Sequence, residues 1–203
     1  MQEFDFNRTP YQALNEERSF LKYFLLSVIT LGIYSLFYFA SIGRDVNDIA
    51  SRYDGKKTMN VFFLAVPLII VLALTTVLII ITPEDPIIMD SMEAAKLMVI
   101  GLSLIALGLA LIVLSICLFV WTYRLTKRIG NELLRRNLDY KFGVKDFWLL
   151  DILACFFFLI ASELTEGLLS WLLWSLSFVG PFIYTYKLTV SMNELAKDYN
   201  VNS

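Results

Sequence analysis

Four stretches of the chain, residues 23–43, 58–83, 97–123 and 167–186, hold no Asp, Glu, Lys or Arg and are dense in Leu, Ile, Val and Phe. A helix needs about 20 mostly apolar residues to cross a hydrocarbon core, so these stretches read as transmembrane segments TM1, TM2, TM3 and TM5. A fifth run, 147–162, is broken only by Asp151 and reads as a shorter TM4, with a re-entrant or interfacial helix as the alternative. The runs are continuous rather than alternating, which excludes a β-barrel. The expected fold class is therefore all-α, a polytopic integral membrane protein of about five transmembrane helices. Its parts are an N-terminal tail (1–20), one transmembrane domain (21–190, spans near 21–43, 59–82, 97–122, 147–162 and 167–186) and a cytoplasmic helical tail (187–203). Pro67 and Pro181 fall inside TM2 and TM5 and predict kinks.

Three segments, 31–50, 116–134 and 179–196, read as copies of one unit. Each has aromatics at the end of an apolar helix, a short polar stretch, then Asn, an acid and an aliphatic: Asn47-Asp48-Ile49, Asn131-Glu132-Leu133 and Asn193-Glu194-Leu195. The middle copy needs one extra residue to align. Val46, Ile49 and Ala50, and Ile129, Leu133 and Leu134, recur at helical spacing, so these helices are expected to run on past the membrane as amphipathic extensions. Gly55 and Gly143 would mark the turns that follow. The aromatics, including Tyr34, Phe37, Tyr38, Trp121, Tyr123, Tyr184 and Tyr186, would form one interfacial belt. A parallel internal repeat of helix pairs with one closing helix is the expected architecture.

Residues 18–50, RSFLKYFLLSVITLGIYSLFYFASIGRDVNDIA, carry a further signal. They resemble the signature of small bacterial membrane proteins grouped as the domain-of-unknown-function family number four-two-three-four. Its members have a similar LLS-ITLGIY-aromatic stretch, a KLT-type polar segment and an Asn-acid-aliphatic end. The stretch from Tyr186-Lys187-Leu188-Thr189 to Asn193-Glu194-Leu195 resembles that ending as well. The resemblance implies a bacterial membrane protein and supplies no activity.

Charge sets the expected orientation. The 41–60 loop holds Arg44, Arg52, Lys56 and Lys57, and the 123–146 loop holds Arg124, Lys127, Arg128, Arg135, Arg136, Lys141 and Lys145, so both are expected in the cytoplasm. The 83–97 loop has Glu84, Asp85, Asp90 and Glu93 against Lys96, and the 162–167 turn has Glu163 and Glu166, so both are expected outside, with the C-terminus inside. A spanning TM1 puts the N-terminus outside together with Arg8, Arg18 and Lys22, against the positive-inside bias. A hairpin broken around Thr30-Leu31-Gly32 would return it inside. The spanning form is the expectation, because the tail's acids outnumber its bases and because the repeat needs its three helices to run the same way. Glu3, Asp5, Glu16 and Glu17 stand where a secretory signal would have a basic start and a cleavage site, so the first run is expected to stay in the mature protein.

Composition narrows the chemistry. At 58% hydrophobic and mean hydropathy +0.65 the chain is too apolar for an ordinary soluble domain. It has no histidine, the commonest general base and metal ligand. Cys117 and Cys155 each lie in an apolar run, which argues against a disulfide or metal site. No catalytic residue, cofactor or metal is expected, because Ser27, Thr30, Ser103, Ser115, Ser175 and Ser177 have no base to activate them. They read as helix-packing or backbone-bonding residues. Gly101, Ala106, Gly108 and Ala110 would let TM3 approach a neighbour closely. Asp151 is the candidate intramembrane charge, for a proton or cation or for a structural pair with Lys145 or Arg124. Arg124, Lys127, Arg128, Arg135 and Arg136 are candidates for contact with anionic headgroups or a partner, each nearby base contributing about 1 kcal/mol.

The expected function is a non-enzymatic scaffold, assembly factor or accessory subunit in the bacterial cytoplasmic membrane. Its partners would be the lipid bilayer, anionic headgroups, and a partner protein or a second copy in a homo-oligomer, with nucleic acid excluded. The alternative is a small transporter or channel using Asp151.

Overall fold

In the computed structural model the described residues are 13–30, 33–54, 57–82, 94–139, 141–164 and 167–202. They form α1 (Phe20–Ile29), α2 (Ile33–Asp54), α3 (Phe62–Ile81), α4 (Ala94–Arg135), α5 (Val144–Asp146), a π turn (Phe147–Ile152), α6 (Leu153–Glu163) and α7 (Leu168–Val201), with no strand among them. The acidic loop at 83–93, Glu166 and Gly55 lie outside the described residues. Three helices, α3, α4 and α7, are long and apolar enough to cross a membrane. With 42 and 34 residues, α4 and α7 are far longer than a span requires. At 1.5 Å per residue they measure roughly 63 and 51 Å, against a hydrocarbon core of about 30 Å. The surplus is the polar extension that the sequence pattern anticipates.

The first apolar run is not one helix. Ser19 caps α1 through its hydroxyl, which accepts the Lys22 N–H, and α1 ends after 10 residues at Thr30. The Thr30 hydroxyl donates to the Leu26 carbonyl (2.7 Å) and accepts the Tyr34 N–H (2.9 Å), so the break is satisfied locally. The chain then doubles back. The Tyr23 ring packs tilted against Tyr38 (centroids 4.3 Å) and Ser27 bonds Ser35 (3.0 Å), pairings that only an antiparallel hairpin allows. The expected span at 21–43 is therefore replaced by a hairpin of two helices, and at 10 residues α1 is about half the length of a crossing.

The chain divides into two compact units, residues 1–58 with 125–203, and residues 59–124. In the first, α6 and the π turn pack along α7. A β-carbon on Gly180 would overlap the Leu150 carbonyl oxygen and press on Ala154, so only glycine lets α7 lie this close to the π turn. Gly143 caps α5, its N–H donating to the Asp146 carboxylate (3.0 Å). α4 ends on Asn137 at φ 53°, with the Leu138 N–H reaching the Leu133 carbonyl (3.0 Å) and the Asn137 N–H the Leu134 carbonyl (3.2 Å). This left-handed stop satisfies the last carbonyls of the helix.

The second unit holds α3 and the first part of α4. Leu64 and Leu78 are the buried residues of α3, and a β-carbon added to Gly101 or Gly108 would meet nothing within 4 Å among the described residues. The close approach expected from those glycines is absent among the described residues. Thr75 and Ser115 turn their hydroxyls back onto the carbonyls four residues earlier, at 2.9 Å each.

Candidate functional site

Three polar helix ends meet in the first unit. Ile42, Val46, Ile49 and Ala50 of α2, Leu125, Ile129 and Leu133 of α4, and Leu188, Met192, Leu195 and Ala196 of α7 are all at most 3% exposed. The spacings of three and four put each set on one face of its helix. Leu134, expected on that face, is 76% exposed instead. Hydrogen bonds cross all three seams. Tyr38 and Thr189 join α2 to α7 (2.6 Å), Thr126 and Tyr184 join α4 to α7 (2.6 Å), and Arg128 donates to Asn47 to join α4 to α2 (3.0 Å). A buried phenol needs a partner, and each finds a threonine hydroxyl. Tyr38 and Tyr184 are consequently buried, Trp121 of the second unit is buried as well, and Phe37 and Tyr186 stay exposed. Gly130 lies against the Phe142–Gly143 backbone and lets the returning chain cross α4.

An extended segment, residues 13–18, straps this bundle along α7. Asn200 accepts the Leu14 N–H (2.9 Å) and donates to the Leu14 carbonyl (2.9 Å). Asn193, two turns earlier, does the same to Arg18 at 3.0 Å each way. Both carboxamides thus bind main chain, as a neighbouring β-strand would. The Arg18 guanidinium enters the bundle and pairs with Asp45 of α2, their side chains 4% and 11% exposed. Burial pushes the Asp45 carboxyl above its ordinary range, outweighing the opposite pull of Arg18 and Arg44. Arg136 pairs with Asp198 and reaches Glu132 (3.8 Å), and Lys187 pairs with Asp146 (2.5 Å).

The five basic candidates on α4 separate by helical phase. Lys127 is exposed and Arg135 is half exposed, pairing with Glu132 (3.3 Å). With Asn131 and Leu134 they make one outward stripe at 127, 131, 134 and 135. Arg124, one turn earlier in the second unit, is also exposed. Arg128 turns inward to Asn47, and the Arg136 side chain, 9% exposed, is consumed by its acids. Arg136 is thereby removed from the headgroup-contact set. The phase of Leu125, Ile129 and Leu133 could have foretold that division. Arg18 and Asp45 lie within the signature stretch 18–50, but nothing in its pattern marks them as a pair, and Asn200 carries no motif.

Asp151 lies half-buried in the π turn and makes no hydrogen bond or ion pair among the described residues, so the expected pairing with Lys145 or Arg124 is not formed. The Leu153 N–H reaches back five residues to the Trp148 carbonyl, the wide-turn bond that often marks a functional position. The hydroxyls of Ser175 and Ser177 are spent on carbonyls of their own helix, at 2.9 and 2.7 Å. Among the described residues no three His, Cys, Asp or Glu side chains gather at one point.

These features belong to a helical, membrane-compatible chain built around a polar-ended bundle. The chain belongs to the family described as Domain of unknown function (DUF4234), which it matches over residues 18–131, more than half of its length. That match begins at Arg18, the residue that locks the strap to α2. Nothing matches among curated proteins or among solved structures.

Proposed function

We propose that this chain is a non-enzymatic scaffold or accessory subunit of the bacterial cytoplasmic membrane. Its three-helix head stands in the cytoplasm and presents the outer stripe of α4 to a partner protein or to anionic headgroups. The observation that carries the reading is the sealing of the head. Its interior is filled by aliphatic side chains and hydroxyl pairs, its buried charges are matched, and the outer face of α4 offers a partner a cationic stripe with one exposed leucine. The hairpin supports this orientation, because it brings Arg18 and Lys22 to the side that holds Arg44, Arg128 and Lys187, in keeping with the positive-inside bias. α3, α4 and α7 are the crossings, and 144–163 pairs with α7 as a fourth. The repeated segments at the ends of α2, α4 and α7 then read as three two-helix units, the first of them shortened.

Photoreactive residues placed at Lys127, Asn131 and Leu134 in native membranes test the proposal. A discrete protein adduct, or phospholipid adducts, from these positions and not from Ile129 is the expected result. No adduct of either kind from the stripe would overturn it. The unpaired Asp151 favours a second reading, a cation or proton pathway. Ion- or pH-driven flux in reconstituted vesicles, lost in Asp151→Asn at unchanged folding, would replace the scaffold by a transporter.

A further inference from the structure

We propose that the α1–α2 hairpin is a one-leaflet insert that enters the bilayer from the side of the three-helix head, ends near the midplane, and is solvated by the acyl chains of that leaflet alone. This rests on the reading that α7 crosses the membrane. Depth follows from register. α1 runs antiparallel to α7, with the Phe20 ring edge-on to Phe182 (4.6 Å) and to Tyr186 (5.7 Å), and Phe24 against Phe182 (5.4 Å). From Phe24 the helix continues five residues to Ile29. At 1.5 Å per residue that is about 7.5 Å, which brings its tip level with residue 177 or so of α7. That level is the centre of the charge-free run 167–186.

The hairpin is built for hydrocarbon. Leu21, Leu25, Val28, Ile29, Ile33 and Phe37 are 50–75% exposed along its outside. In lipid every backbone polar group must be satisfied within the protein. At the tip, the Thr30 N–H reaches the Leu26 carbonyl (3.0 Å), the Ile33 N–H reaches the Thr30 carbonyl (3.1 Å), and the Thr30 hydroxyl serves both helices. Between the helices the hydroxyls of Tyr23, Ser35 and Ser27 bond one another in a chain at 3.3 and 3.0 Å, with no water needed. The base is polar by contrast. Lys22 is exposed, the Arg44 side chain is 74% exposed, and the Arg18–Asp45 pair joins the two legs of the hairpin where they meet the head. A wedge of this depth displaces lipid in one leaflet and leaves the other whole.

Site-directed spin labelling of the full chain tests this, with Cys117→Ser and Cys155→Ser as background and phosphatidylcholine–phosphatidylglycerol vesicles as the bilayer. A nitroxide at Ile29 should show maximal oxygen and minimal nickel-chelate accessibility, the signature of the midplane. A thiol at Ala13 should react with impermeant reagent from the same side as one at Asn202, and one at Leu168 from the opposite side. A nitroxide at Ile29 or Ile33 with high nickel accessibility, or Ala13 and Asn202 on opposite sides, would overturn the insert while leaving the crossing of α7 intact. Leu168 and Asn202 on one side would overturn the crossing itself, and the insert with it.

Discussion

Leu188 and Ile80 are both aliphatic residues on helices able to cross a membrane, yet Leu188 is completely buried and Ile80 is 76% exposed. The contrast holds for their whole regions. In the head, side chains of three helices close over one another and every seam carries a hydrogen bond. Among the described residues of α3 and the first part of α4, only Leu64, Leu78, Ile100 and Trp121 are buried. Glycines divide likewise, Gly180 and Gly130 against backbone, Gly101 and Gly108 in open space. In the membrane arrangement proposed above, the head would be specified by shape, since water rewards only burial within the protein. The apolar helices would be specified by composition, since lipid tails solvate a leucine as well as another leucine does.

The sharpest break in that comparison is the Arg18–Asp45 pair, where removing one member strands the other's buried charge. Arg18→Met should cost about 3–5 kcal/mol of head stability, whereas Arg18→Met with Asp45→Leu should recover most of it, measured by thermal unfolding in detergent. Next, Leu188→Ala should cost about 2–5 kcal/mol while Ile80→Ala stays within about 0.5 kcal/mol. Equal losses would show that α3 is packed as tightly as the head. Third, Gly180→Ala should destabilise by about 1–3 kcal/mol through overpacking, and Gly108→Ala should be neutral or stabilising through helix propensity.

Much of this layout was legible in the chain, and the exceptions have physical causes. The apolar runs and the helical spacing of Val46, Ile49 and Ala50 announced the helices and their amphipathic ends, because burial imposes periodicity on sequence. The 21-residue charge-free run 23–43 met the length criterion for a span although the helix breaks inside it. Hydropathy counts residues and does not register a turn at Thr30 whose polar groups are satisfied locally. The strap was illegible for another reason. Asn193 and Asn200 hold backbone, which leaves no requirement on the sequence they hold.

Two smaller effects sharpen the comparison at the strap. Asn193→Ala removes two hydrogen bonds, each contributing about 0.5–1.5 kcal/mol net, so amides of residues 14–18 should exchange faster while those of Ile129 and Leu133 stay protected. The last is pH. Burial holds the Asp45 carboxyl above its ordinary value of 3.8, so the folded head binds more protons than the unfolded chain. This contribution to head stability should grow as pH falls from neutral toward that value and be lost as pH rises through the folded pKa, read by thermal unfolding in detergent.

The two-bond grip of Asn200 on Leu14 sets a grammar for substitution in the strap. What the carboxamide asks of position 14 is an N–H and a carbonyl at the right separation, which nineteen of the twenty amino acids supply. Alanine, serine or glutamate there would keep the grip. Proline, lacking the hydrogen, would be refused, and the strap could drift in wording so long as it never stops being able to donate.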